Sequence, residues 1–102
     1  MTKTQKKLND YVWLKGNNNY GTHTFCDFYK NYCISINGYY EYYNKLEIII
    51  HKYDEENNNI IKVYYNNNEE EIKKCLGKKF RENSYNTLHK KIKNLINTMI
   101  YN

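Results

Sequence analysis

The stretch Leu46-Glu47-Ile48-Ile49-Ile50-His51-Lys52-Tyr53, then Asp54-Glu55-Glu56-Asn57-Asn58-Asn59, then Ile60-Ile61-Lys62-Val63-Tyr64-Tyr65, decides how this chain folds. Both outer runs are β-branched or aromatic, whereas the acidic, Asn-rich middle has no apolar side chain to bury and favours turn conformations. The two runs are therefore predicted to fold back as a hairpin. Side chains alternate across a strand, so Leu46, Ile48 and Ile50 point one way and Glu47, Ile49, His51 and Tyr53 the other. The first set is the better core face. Ile61 and Val63 of the partner strand are expected to join it, leaving a second face of Tyr, Lys, His and Glu.

Upstream, Tyr32-Cys33-Ile34-Ser35-Ile36 and Tyr39-Tyr40-Glu41-Tyr42-Tyr43 flank Asn37-Gly38, the strongest short-range hairpin signal because a type I′ turn needs positive φ at both central residues. That reading adds a second hairpin and makes the sheet a meander. Thr22 to Tyr29 alternates as a strand would, although Phe25, Phe28 and Tyr29 also fit a helical stripe. Tyr11-Val12-Trp13-Leu14-Lys15 has strand composition and ends at Gly16 and an Asn triplet, as an edge strand would, with Trp13 read as a packing residue. Residues 1–9 read as an arm or a short helix.

Downstream, the period changes to that of helices. Asn68 stands three residues before Glu71, and Glu69, Glu70 and Glu71 place negative charge at a helix N-terminus, where the macrodipole favours it. Ile72, Cys75, Leu76 and Phe80 then share one face, with Gly77 weakening the helix while permitting close approach to the sheet. Ser84 is placed to cap a further helix whose apolar positions are Leu88, Ile92, Leu95, Ile96, Met99 and Ile100. The fold class predicted is α+β: an antiparallel β-meander of four to five strands, packed on one face by two C-terminal helices.

At 102 residues the chain is the size of one domain with a modest core, because its hydrophobic fraction of 40% leans on 13 Tyr whose hydroxyls need partners. A net charge of +5 and a pI near 9.0 favour phosphates or acidic proteins as partners and exclude a nucleic-acid mimic. No apolar run approaches the ~20 residues of a membrane span, and no signal-peptide core follows Met1. Three Cys without regular spacing fit a reducing compartment, so a cytoplasmic location is expected, in a bacterial host cell if the gene is phage-borne. Absence of Pro and abundance of Asn, Lys, Ile and Tyr are what an AT-rich coding sequence would produce.

Chemical motifs are sparse. His23, Cys26 and Cys33 lie close in sequence, but a zinc site needs a second ligand couple, and Cys75 and His89 are too far apart to supply one. No metal or cofactor is expected, and Cys33 and Cys75 are read as small core residues. The four Gly are too scattered for a phosphate loop. Tyr40, Tyr42, Tyr53 and Tyr64 with Lys52 and Lys62 form the candidate partner-binding set, because tyrosines interleaved with lysines on a sheet suit protein hot spots and base-stacking platforms alike. Lys90, Lys91, Lys93 and Arg81 are candidate phosphate contacts.

These features point to a non-enzymatic binding module that occupies a surface of a larger protein or nucleoprotein complex, as a monomer or homodimer. The specific expectation is a phage or mobile-element accessory protein, an inhibitor of a host defence nuclease of the anti-CRISPR kind. Two alternatives follow from the same residues. One is a single-stranded nucleic-acid-binding protein, for RNA or single-stranded DNA. The other is a small metal-independent ribonuclease or toxin using His51, Tyr64, Lys62 and Glu47, or Arg81 and His89.

Overall fold

The computed structural model describes residues 2–11, 24–39 and 46–100. Strands β1 (Thr24–Tyr29), β2 (Tyr32–Asn37), β3 (Glu47–Asp54) and β4 (Asn59–Asn66) pair antiparallel in chain order as one sheet. Helix α1 (Lys3–Tyr11) precedes the sheet; α2 (Glu69–Leu76) and α3 (Tyr85–Ile100) follow it, joined through a 3-10 turn at Phe80–Glu82. The α+β meander with two C-terminal helices on one face is thus as the sequence predicts. No helix among the described residues is long and apolar enough to cross a membrane.

The main core lies between the sheet and α2 and α3. Ile34, Ile36, Ile48 and Ile50 meet Ile72, Leu76, Phe80, Leu88, Ile92 and Ile96, all buried. Each such side chain contributes roughly 1.5–3 kcal/mol by leaving water. A smaller cluster on the opposite face joins Leu8 of α1 to Cys33 and Tyr53, with Tyr11, Cys26, Phe28 and Ile60 packed around it. Helix α1 therefore covers part of the face that composition alone had left open. Its N-terminus is a capping box: Thr2 Oγ1 accepts from the Gln5 amide at 3.1 Å, and Gln5 Oε1 accepts from the Thr2 amide at 3.3 Å.

Caps at the later helices follow the sequence reading. The Asn68 side chain accepts from the Glu71 amide at 3.1 Å, and Ser84 Oγ from the Thr87 amide at 3.3 Å. Gly77 departs from it, because it ends α2 rather than weakening its middle: its φ is 95° and its N–H donates to the Lys73 carbonyl at 2.8 Å. Cys75 is exposed, in contrast to buried Cys33. The four-residue spacing from Ile72 to Leu76 to Phe80 fills the buried stripe, and Cys75 falls beside it.

Three strand expectations are corrected. Tyr11 closes α1 instead of opening a strand; residues 12–15, including Trp13, lie outside the described residues. Asn37-Gly38 is not the turn of a two-strand hairpin, because both edges of β2 are taken, by β1 and by β3. The tight turn falls instead at Lys30-Asn31, where Lys30 adopts φ 54° and Asn31 ties the turn to Tyr53 through its own carbonyl and its side-chain amide. Residues 40–43 of that expected hairpin lie outside the described residues.

The β3–β4 hairpin forms with a register that alternation along the strand does not predict. The Asp54–Asn59 turn forms as read, with Asp54 accepting from the Glu56 amide and the Asn57 side chain. Pairing then runs Ile48 with Asn66, Ile49 with Tyr65 and Ile50 with Tyr64, but His51 pairs with Lys62. Val63 is the extra residue of a β-bulge. Strict alternation breaks there, so Tyr64, not Val63, reaches the main core beside Ile50, while Ile61 and Val63 are 40% and 39% exposed.

Candidate functional site

The bulge gives β4 a mixed outer surface. Ile61, Val63 and Tyr65 are exposed, and they are three of the four exposed large hydrophobic residues among those described. Lys62 stands between them with its ammonium 5.4 Å from the Tyr65 ring centre. The Tyr65 hydroxyl donates to Glu47 Oε2 at 2.6 Å, which holds the ring against the sheet and raises the phenol pKa. Among the described residues β4 is paired on one side only. A strand's unpaired side presents a row of backbone donors and acceptors, the template on which a further strand can add.

The tyrosines and lysines singled out from sequence do not form one platform. Tyr53 is buried beneath α1, where its hydroxyl donates to Asn58 and accepts from Lys7 Nζ at 2.9 Å, on the wall of a cleft of about 460 Å³. Tyr64 is half-buried on the opposite face, against the main core, and its hydroxyl accepts from the Asn66 side-chain Nδ2 at 2.9 Å. Lys52 lies over Tyr32 at 5.9 Å. Only Lys62 belongs to the exposed surface of β4. Tyr40 and Tyr42 lie outside the described residues.

Two of the four candidate phosphate contacts are engaged with backbone. Arg81 donates from Nε to the Tyr39 carbonyl and from Nη2 to that of Gly38 at 2.9 Å, with its guanidinium 4.6 Å from the Phe80 ring centre. It clamps the chain leaving β2. Lys91 Nζ donates to the Leu76 carbonyl at 2.8 Å and completes the C-terminal cap of α2. Lys90 and Lys93 are exposed on α3, and Lys93 lies 5.6 Å from the Tyr29 ring centre.

At the other edge of the sheet, α3 meets β1 through a polar cluster of which sequence reading named only His89 and missed Asp27 and Tyr85. Asp27 is 2% exposed; its Oδ1 accepts from the Phe28 amide at 2.9 Å and the Tyr85 hydroxyl at 2.7 Å, and its Oδ2 pairs with His89 Nδ1 at 2.5 Å. The hydrogen bond to Asp27 pushes the Tyr85 phenol up to about 12. Tyr85 and His89 stack at 5.9 Å, four residues apart on one face of α3. The available signal was an Asp among aromatics in a strand, where Asp is depleted.

His51 presents a different environment. It is buried with Nδ1 unpartnered and its ring edge-on to Tyr11 at 5.5 Å; burial, then the neighbouring Lys62 ammonium, lower its pKa. His51 is a neutral packing group. Of the three residues weighed and set aside as zinc ligands, Cys26 and Cys33 sit on the α1 side of the sheet and His23 lies outside the described residues. No group of three His, Cys, Asp or Glu among the described residues could hold a metal.

These edges and faces define a small α+β meander whose outer strands β1 and β4 are each paired on one side only among the described residues. No protein-family model, curated protein or solved structure matches the chain.

Proposed function

We propose that the protein is a binding module whose partner adds an extended segment to the open edge of β4. The observation that carries this reading is the exposure of Ile61, Val63 and Tyr65, spread over both faces of a strand with no neighbour on its outer side among the described residues. In such strand addition the partner's backbone bonds to the edge supply affinity, while contacts with alternate side chains supply specificity. Lys62 and the net charge of +5 favour an acidic segment. A bulge and a lysine are also the devices by which proteins protect edges from indiscriminate pairing. Here they restrict the edge to a partner whose register accommodates the extra residue.

The use we propose for this edge is to occupy a surface of a larger protein or nucleoprotein complex, as an inhibitor of the anti-CRISPR kind would. The test is affinity capture from cells of the source organism, with and without nuclease, comparing the wild type with Ile61→Lys/Val63→Lys. A protein retained through nuclease treatment and weakened about a hundredfold or more by the double variant is the expected result, about 2.7 kcal/mol of lost contact. Recovery of RNA or DNA alone, lost on nuclease treatment, would replace this reading with single-strand nucleic-acid binding. Equal capture by the variant would move the interface elsewhere.

A further inference from the structure

The Asp27 cluster lies at the β1 edge, away from the β4 edge proposed to bind a partner, and it has the parts of an acid–base site. Taking a carboxylate out of water is costly, and an apolar contact of similar volume often holds a helix to a sheet as well or better. At this contact the chain nonetheless keeps Asp27, 2% exposed, with both oxygens engaged. Its Oδ2 fixes Nδ1 of His89, whose side chain remains 35% exposed. The nitrogen left for exchange with a ligand is Nε2. This is the division of labour by which a buried carboxylate selects the tautomer and orientation of a general base.

An aromatic ring stacks on the imidazole, and cations gather at the next exposed position of the same α3–β1 contact. Lys93 follows His89 by four residues on α3, as Tyr29 follows Asp27 by two on β1, so both belong to the same contact. The ammonium groups of Lys93 and Lys30 lie 5.6 and 5.2 Å from the centre of the Tyr29 ring. Two positive charges thus flank the Tyr29 ring, one helical turn along α3 from His89 and two residues along β1 from Asp27. Tyr85, 58% exposed and stacked on His89, offers a face for a nucleobase. A base, two cations and a stacking ring suit a single-stranded polynucleotide, and a 2′-hydroxyl is the nucleophile that such a set can activate.

We propose that His89 is a general base that cleaves single-stranded RNA, with Lys93 and Lys30 holding the phosphodiester and Asp27 acting as a positioning residue. The 2′-hydroxyl gives its proton to Nε2 of His89, the 2′-oxygen forms a bond to phosphorus, and the bond from phosphorus to the 5′-oxygen breaks. The departing 5′-oxygen takes a proton from water. The hydroxide so formed accepts the proton from His89 and restores it. The products end in a 2′,3′-cyclic phosphate and a 5′-hydroxyl.

The experiment incubates the purified full chain with end-labelled single-stranded RNA in chelator and reads both rate and end groups. Wild type is expected to give cyclic-phosphate ends, at a rate that His89→Gln lowers by about a hundredfold or more, the usual size of a general-base contribution. Lys93→Gln should raise KM more than it lowers kcat, whereas Asp27→Asn should lower kcat at similar KM. The same RNA carrying 2′-O-methyl groups, tested on the unaltered protein, should remain whole. Intact RNA after incubation with wild type overturns the proposal, as does cleavage of the 2′-O-methyl strand or cleavage undiminished in a folded His89→Gln protein.

Discussion

Along β1, Asp27 is 2% exposed and α3 closes over the strand through His89 and Tyr85, whereas along β4 the side chains of Ile61, Val63 and Tyr65 stand 40%, 39% and 48% exposed. Both are outer strands of the same sheet. One edge buries polar groups that it must then satisfy, and the other exposes apolar groups that it leaves uncovered. Apolar burial, the ordinary source of stability, is fullest between the inner strands and the helices, and the edge strands reach it only with partly buried side chains such as Phe25, Tyr29 and Tyr64. Where a small fold departs from that economy, chemistry or binding is the natural explanation.

The contrast is broken most directly at Asp27. Asp27→Ala leaves the Tyr85 hydroxyl, the Phe28 amide and His89 without their shared acceptor, and about 3 kcal/mol of stability is expected to go with it. Urea denaturation measures this. A loss below about 1 kcal/mol, the net worth of one ordinary hydrogen bond, would mean that water replaces the carboxylate and that β1 is as open as β4.

Much of the fold was legible because its signals are local. The β-branched run from Leu46, the polar turn after Tyr53, the Asn68 cap and the stripe Leu88, Ile92 and Ile96 each declare themselves within a few residues. The Thr2 and Gln5 capping box was equally local and went unread beneath a lysine-rich composition. Other features depend on pairing. Val63 is a bulge only because β3 opposes it with one residue too few, and Asn37-Gly38 fails as a hairpin only because β2 lies between two other strands. The site was the least legible part: Asp27 and His89 are 62 residues apart, and Arg81 carries no mark that its partners are the carbonyls of Gly38 and Tyr39.

A smaller effect separates the interior beside β4 from the cluster beside β1. His51 pairs with Lys62 in the sheet but is held neutral, whereas His89 faces a carboxylate. Because the folded pKa of His51 is lowered, the unfolded chain takes up a proton near pH 6.5 while the folded chain resists it. Stability from this group is therefore full above about pH 6.5 and is lost as pH falls toward the lower folded value. His51→Leu removes that acid sensitivity and also the unpartnered Nδ1, so its stability at neutral pH should change by no more than about 1 kcal/mol. Thermal midpoints at pH 7 and pH 5 measure both effects. An unchanged pH slope would show that His51 takes up its proton equally well in the folded state.

The smallest expected effect on stability falls on the open edge and is the most informative about it. Ile61 and Val63 have their side chains 40% and 39% exposed, so Ile61→Lys and Val63→Lys should each shift stability by only about 0.5 kcal/mol, the range of ordinary surface substitutions. If these side chains are covered in a dimer, the same changes would dissociate it and lower the thermal midpoint in a manner that depends on protein concentration. Unfolding of wild type and both variants at two concentrations separates the cases. Concentration-independent midpoints would leave the apolar row without an occupant of its own kind. That outcome would sharpen the difference between the edges, because a surface that contributes little to the fold and is covered by no second copy is free to be selected for a different partner.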